Sequence, residues 1–433
     1  LLLQLLPGKK VETVLQDFRT FEGKTTRLRV HKNLAPTLRI YQLRFDYTRI
    51  DQQKLLHALF HHPAVQTVQN NHLVTYRATI PNDPQFPDQW QYINDGSSGG
   101  VPDADIDAEL AWDITTGGVT AIGDTIVVCI VDDGLDLTHQ DFAGNRWFNY
   151  AEIPGNGIDD DGNGYTDDYR GWNADFTNDD ISGGFFGGWH GTPVTGIVGA
   201  RGNNNIGVAG VNWNVKLMVV VGGGDEAAAI AAYAYPLTMR TRYNDTNGQQ
   251  GAFVVATNSS WGTDYGQPED APLWCAMYDE MGEQGILSAG ATANVNLNVD
   301  VDGDLPTACP SDYLIAVTNM RRNDVKVTQA AYGLINVDLG AFGEDTWTAA
   351  KGNQYEGFGG TSGATPHVAG TVGLIYSAPC YQLAALAHSN PAAAALLVKQ
   401  FILDGTDPNA SLAGITVTGG RLNLFNSLQL AMS

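Results

Sequence analysis

The chain has 433 residues, enough for one large domain or two unequal ones, and a globular composition of 43% hydrophobic and 16% charged residues with 50 glycines. Its net charge of −23 is unevenly divided: residues 1–80 hold 12 Lys+Arg against 5 Asp+Glu, the remainder 12 against 42. That acidity argues against nucleic acid as a main partner of the large part, and no run approaches the ~18 apolar residues of a membrane span.

The opening LLLQLLPG reads as a strand; it is too short, and lacks the basic flank, to be a signal peptide, so a signal for export would lie outside this chain. KKVETVLQDFRTF has the spacing of an amphipathic helix. LRVHK and RIYQLRFD follow as strands, DQQKLLHALFHH as a second helix and VQTVQNNHLVTYRA as a last extended piece. The order β-α-β-β-α-β is the ferredoxin-like split motif, an α+β unit. Five of the nine histidines (His31, His57, His61, His62 and His72) fall here, as ordinary surface residues or as a pH-sensitive grip. Proline-dense PNDPQFPDQW then marks a boundary near residue 80. Opposite charge suggests that the small basic part is held by the large acidic one.

Beyond the boundary, TIVVCIVD, VKLMVVV, GAFVVATNSSW, QGILSAG and YLIAVTN are short, continuous and apolar, as in a parallel sheet covered on both faces. Helical stretches such as DEAAAIAAYAYPLTMRTRY and LWCAMYDEMGEQ separate several of them, which argues an α/β fold. In such sheets reactive groups gather at the carboxyl ends of strands, where Asp132 stands. Cys129 sits in mid-strand as a small core residue. Cys275 and Cys309 could pair, although spacing alone leaves connectivity open.

Three stretches stand out. IVDDG ends a buried strand with two adjacent carboxylates, GGWHGTPVTGIVGA opens a small-residue helix with a histidine, and GGTSGATPHVAGTVGLIY opens another with a serine. Singly, each has an ordinary structural reading: a turn, a structural histidine, an N-cap. Glycines on both approaches change the weighting, because they let backbone and substrate come close. The serine's own N–H then points outward at a positive helix end, ready to hold an oxyanion.

In the order Asp…His…Ser these blocks resemble the subtilisin-like serine proteases over roughly residues 81–433. The doubled Asp-Asp-Gly and NSSWG are similar to the proprotein-convertase branch. The resemblance implies a three-layer fold with a mainly parallel sheet, and a secreted, calcium-dependent endopeptidase. It makes Ser362 the nucleophile, His190 the base and Asp132 the group that orients the imidazole. Asn294, reached by counting along GILSAGATAN, takes the place of the side-chain oxyanion donor, with Ala293 where the family has glycine; loss of such a donor costs ~10²–10³ in rate. VVVGGG (with Gly222, Gly223 and Gly224) and SSWG (with Ser260, Trp261 and Gly262) match the two edges that clamp substrate as an added strand. Asp133 and Asp264 match, or lie near, acidic subsites of the convertases. The region near Thr307, by contrast, lacks an obvious acid for the floor of the specificity pocket.

GNGIDDDGNGYTDD places oxygen donors at Asp159, Asp161 and Asn163, a carbonyl at Tyr165 and a carboxylate at Asp167 or Asp168. That is the start of an EF-hand-type loop without its terminal glutamate, and its hard ligands favour Ca²⁺. By resemblance a second calcium site joins Asp141 to the 201–208 loop through Asn204, Ile206 and Val208, with Asp83 added. NVDVDGD (298–304) reads as a third site or as a surface strand. The resemblance also makes residues 1–80 a folding template and inhibitor whose tail lies in the cleft, released by cleavage within Val74–Ile80. Two rival readings are a catalytically weak peptide-binding protein on the same fold, and an α/β-hydrolase. The second conflicts with GTSGA ending in alanine and with partners that precede the serine.

Overall fold

A computed structural model describes residues 1–72, 78–183 and 187–433. The chain forms two compact units, Leu1–Arg77 and Ala78–Ser433. Most of the segment expected to hold the processing bond, residues 74–77, lies outside the described residues.

In the first unit the elements are β1 (Leu2–Leu5), α1 (Val11–Asp17), β2 (Arg29–Ala35), β3 (Ile40–Arg44), α2 (Gln52–Phe60) and β4 (Val65–Gln69). The strands form an antiparallel sheet in the order β2-β3-β1-β4, the ferredoxin-like arrangement. Leu3, Leu5, Val14, Leu43, Leu55 and Leu59 form its core. α1 is shorter than its sequence pattern, because Thr20–Phe21 turns back to pair with Lys24–Thr25.

The second unit is built on β5 (Ile126–Asp132), β6 (Trp172–Asn173), α3 (Gly191–Gly199), β7 (Lys216–Val221), α4 (Glu226–Asp245), β8 (Phe253–Ser259), α5 (Pro272–Glu283), β9 (Leu287–Ala291), β10 (Leu314–Met320), β11 (Leu339–Phe342), α6 (Thr361–Tyr376), β12 (Asp407–Pro408) and β13 (Gly420–Arg421). Its nine-stranded sheet has the order β12-β13-β11-β10-β9-β8-β5-β7-β6, parallel except at the β12–β13 edge. β5 shows why these apolar runs are strands. Ile126, Val128 and Ile130 enter the core on the face of α3 and α6, whereas Val127, Cys129 and Val131 enter the core on the face of α4 and α5. The result is three layers, helices on both faces of a mainly parallel sheet. Cys275 and Cys309 are joined as a disulfide, and Cys129 is free and buried.

Candidate active site

After β5 the chain runs to one side through β6 and β7, then crosses to the other through β8 and β9. A crevice opens at such a reversal, outside the carboxyl ends of the strands. Register fixes its rim: Asp132 pairs with Val221, and Val131 with Ser259. Gly222 and Ser260 therefore leave the sheet on either side of Asp132. A cavity of about 440 Å³ lies there, lined by Asp132, Asp133, His190, Gly222, Gly223, Gly224, Ser260 and Trp261, together with Asp175 and Trp189.

His190 stands immediately before α3, and its Nδ1 lies 2.8 Å from Asp132 Oδ1 and 3.1 Å from Oδ2. The Asp132 side chain is 2% exposed and that of His190 37%, so the acid is dry while the imidazole reaches the cleft. Burial works against a charged imidazole, but the Asp132 carboxylate, with Asp133 adding to it, outweighs burial and raises the His190 pKa above its ordinary value. Backbone packing brings the pair together: a Cβ on Gly191 would lie 2.2 Å from the Gly134 carbonyl oxygen.

Asp133 has different work. Its Oδ1 accepts from the Gly191 N–H at 2.6 Å, and both its oxygens accept from the His190 N–H at 3.2 Å. It thereby closes the start of α3, and burial raises its pKa despite those bonds. Although it lines the cleft, its oxygens are committed to backbone.

Ser362 is the second residue of α6, a helix buried along its whole length. Its hydroxyl donates to the Ser260 carbonyl at 3.0 Å rather than to His190, and the Ser260 hydroxyl donates back to the Ser362 carbonyl at 3.1 Å. This reciprocal pair joins the serine to the edge that also lines the cavity. Asn294 sits at the same helix end, its Oδ1 accepting from the Thr361 N–H at 3.0 Å, while its amide NH₂ has no partner among the described residues. Gly360 carries φ 83°, and a Cβ there would come within 3.0 Å of that Oδ1. Ala293 is accommodated in place of glycine because its φ is negative; its N–H turns inward to Asp304 Oδ2 at 3.0 Å.

The two expected clamp edges face each other across Trp261. Its indole N–H donates to the Val131 carbonyl at 2.7 Å, and the ring lies where a Cβ on Gly223 (φ 118°) would meet it at 3.0 Å. Thr263–Asp264 pairs antiparallel with Asp304–Leu305, placing Asp264 on an exposed strand outside the cavity lining. The segment before Thr307 does carry an acid, Asp304, but it is 1% exposed, accepts the Thr307 hydroxyl and is not among the residues that line the cleft. Its place in an acidic surface-like run concealed it.

The acidic loop folds around Glu152, Asp161 and Asp168, each offering one oxygen within 4.8 Å of the others. Asp161 Oδ1 is buried without a hydrogen-bond partner among the described residues, with the Arg242 guanidinium 3.7 Å away, and burial, helped by the charge of Asp161, pushes Asp168 up to about 6. Such a cluster fits a hard divalent cation that would neutralise it. Asn163 lies against Asp161 and Asp168 through its amide, and Tyr165 packs beside it on Trp172. Asp159 and Asp167 are turned away. Asp159 accepts from the N–H groups of Gly162, Asn163 and Gly164, and Asp167 from those of Asn156 and Gly157. Glu152 was absent from the sequence expectation; a carboxylate three residues ahead of the loop was its only signal.

Asp141 accepts from Asn204 Nδ2 at 3.1 Å and from the Val208 N–H at 3.0 Å. Asp83 accepts from the Asn203 and Asn204 N–H groups, and Asn204 Oδ1 accepts from the Ile206 N–H at 2.7 Å. Burial raises both carboxyls, and each lacks a Lys or Arg partner among the described residues. The 298–304 stretch gathers no third cluster among the described residues. Asp300 instead holds the Ile335 and Asn336 N–H groups, Asp302 holds the Asn298 N–H, and Asp304 turns into the interior.

An α/β fold with a carboxylate–imidazole pair and a helix-initiating serine at one rim defines a subtilisin-like protein. Residues 123–412 match the model of the Subtilase family, peptidase S8, and the chain belongs to that family. The extracellular protease of Xanthomonas campestris pv. campestris is 26% identical over 379 residues, 82% of this chain and 59% of that protein. The extracellular basic protease of Dichelobacter nodosus is 28% identical over 339 residues, 73% of this chain and 51% of its own. The chain thus spans about half the length of the curated relatives it matches. Among solved structures, a protease from Pseudoalteromonas arctica superposes with a TM-score of 0.56 at 21% identity, covering 82% of this chain and 100% of that one. The epidermin leader peptide processing serine protease from Staphylococcus aureus does so with 0.55 at 17%, covering 100% and 98%. These likenesses show the fold.

Proposed function

We propose that the protein is a secreted serine endopeptidase that cleaves peptide bonds through an acyl-enzyme. The observation that carries this reading is the 2.8 Å contact between His190 and a dry Asp132, at the mouth of a cleft whose far edge is tied to Ser362. Asp132 holds Nδ1 protonated and leaves Nε2 free to accept the Ser362 proton; His190 later returns it to the leaving amine. Attack requires the hydroxyl to rotate from Ser260 toward His190, a tightening that substrate binding brings about. The Ser362 N–H and the Asn294 amide supply the developing oxyanion with donors. Between the Gly222–Gly224 and Ser260–Gly262 edges an extended peptide adds as a strand.

Ca²⁺ would be held by Glu152, Asp161 and Asp168, with a second ion at Asp83, Asp141 and Asn204 and the carbonyls of Ile206 and Val208. Bound there, it offsets clustered negative charge and fastens loops; it takes no part in bond cleavage. Residues 1–80 act as an inhibitory propeptide, a reading supported by their opposite charge and ferredoxin-like fold.

The rival reading, a peptide-binding protein without turnover, draws on the Ser362 hydroxyl pointing to Ser260. Labelling by a fluorophosphonate separates the two. Stoichiometric labelling that disappears in Ser362→Ala, together with cleavage of a peptide library, is the expected result; an intact protein that resists the probe leaves only the binding reading.

A further inference from the structure

Asp304 is a buried acid that the mechanism above does not use. Burial pushes its carboxyl up to about 7, and the charge of Asp264 raises it further. A buried carboxylate without a cation is costly unless hydrogen bonds are built for it. Here they are: Oδ2 accepts both the Ala293 N–H and the Thr307 hydroxyl. Ala293 immediately precedes Asn294, whose Oδ1 in turn receives the Thr361 N–H at the start of α6. On its other side Asp304 is bonded by backbone to the substrate edge, since it pairs with Asp264 and Leu305 with Thr263, directly after Gly262. One carboxylate therefore joins the segment that carries the Asn294 amide to the edge along which a peptide would lie.

We infer that Asp304 is a positioning residue of the oxyanion site, fixing the Asn294 amide in height and angle relative to the Ser362 N–H through the Ala293 N–H. The inference rests on the endopeptidase reading. Misplacement of a donor by about 1 Å is enough to cost ~10²-fold in rate. Ground-state peptide, held by the two edge strands, does not depend on that donor. The role predicts a split: transition-state binding suffers when the tie is cut, and substrate binding does not.

The experiment compares wild type, Asp304→Ala and Asp304→Asn in the full chain. Measurements are kcat and KM on one peptide substrate, affinity for a peptidyl boronate or aldehyde, and affinity for a non-covalent product peptide. Asp304→Ala is expected to lower kcat and boronate affinity together by about 10- to 100-fold, with KM and product affinity within about twofold. Asp304→Asn, whose amide oxygen can accept the same donors, is expected to restore most of the loss. Should Asp304→Ala not fold, as judged by its melting transition, Asp304→Ser carries the same expectation, because its hydroxyl is too short to span to Ala293. Unchanged kcat in a folded variant overturns the inference. So does an equal loss of boronate and product affinity, or an Asn variant as poor as Ala. A wild type that cleaves no peptide defeats the endopeptidase reading instead, whatever the variants do.

Discussion

At the scale of single residues, the pairing of His190 with Asp132 sets the pH response. In the proposed mechanism the base must be neutral to take the Ser362 proton, so kcat/KM is expected to fall as pH drops through the His190 pKa. That pKa is raised above the ordinary 6.5, and the loss begins correspondingly closer to neutrality. In Asp132→Asn the attractive charge is gone while burial of the ring remains, so the acid limb of the profile moves to lower pH. The same change removes the group that holds the tautomer, with an expected fall in kcat of ~10⁴-fold. A limb that stays in place would mean that another group controls it. For stability the sign is reversed: with a raised folded pKa, His190 stabilises the fold below about pH 6.5 and the contribution is lost as pH rises through the folded value.

At the scale of elements, α6 carries the serine and also a buried base. His367, wholly inside, donates from Nδ1 to the Gly363 carbonyl at 2.9 Å, and burial lowers its pKa to about 4. The unfolded chain binds this proton near pH 6.5 and the folded chain does not, so stability declines as pH falls from 6.5 toward 4, by roughly 3 kcal/mol in all. Denaturant melts across that range should show a shallower pH slope in His367→Gln than in wild type, whatever the variant's absolute stability. Equal slopes would assign the acid sensitivity elsewhere. Gly360, one residue ahead of α6, makes a second case: Gly360→Ala forces a left-handed φ on alanine and crowds Asn294 at 3.0 Å. The expected cost is about 1–2 kcal/mol, read in the same melts, with kcat reduced through the displaced amide. These elements also show what sequence can and cannot reveal. β5, α3 and α6 are legible because continuous apolar or small-residue runs leave few alternatives, whereas the roles of Asp132, His190 and Ser362 at their ends came from the family resemblance. Glu152 and Asp304 are not legible. Whether an acid faces solvent, a backbone N–H or another acid depends on how distant loops pack, and local pattern carries no record of that. Asp159 and Asp167 illustrate the converse, having ligand spacing while their oxygens are consumed by turns.

At the scale of the whole molecule, charge underlies the roles proposed for the metal and for residues 1–80. On the proposed calcium binding, a chelator would leave Glu152, Asp161 and Asp168 repelling one another within 4.8 Å. The melting temperature is expected to fall by several degrees and to recover with Ca²⁺ but less with Mg²⁺, which prefers a smaller octahedral shell. Glu152→Gln should blunt the response; an unchanged melt in chelator would remove the metal from the account. The inhibitory role proposed for residues 1–80 depends on the same electrostatics over longer range. Residues 1–80 carry 12 basic against 5 acidic side chains, and the rest 12 against 42, so on the proposed role any attraction between them is expected to be greatest at low salt and screened beyond ~10 Å at 0.1 M. The chain retaining residues 1–80 should therefore cleave peptide more slowly than the chain trimmed of them. The ratio of the two rates should shrink steadily from about 0.02 M to 1 M salt, while the trimmed chain responds little. Equal rates at low salt would end the inhibitory role. A ratio that ignores salt would keep the inhibition and assign it to apolar contact alone.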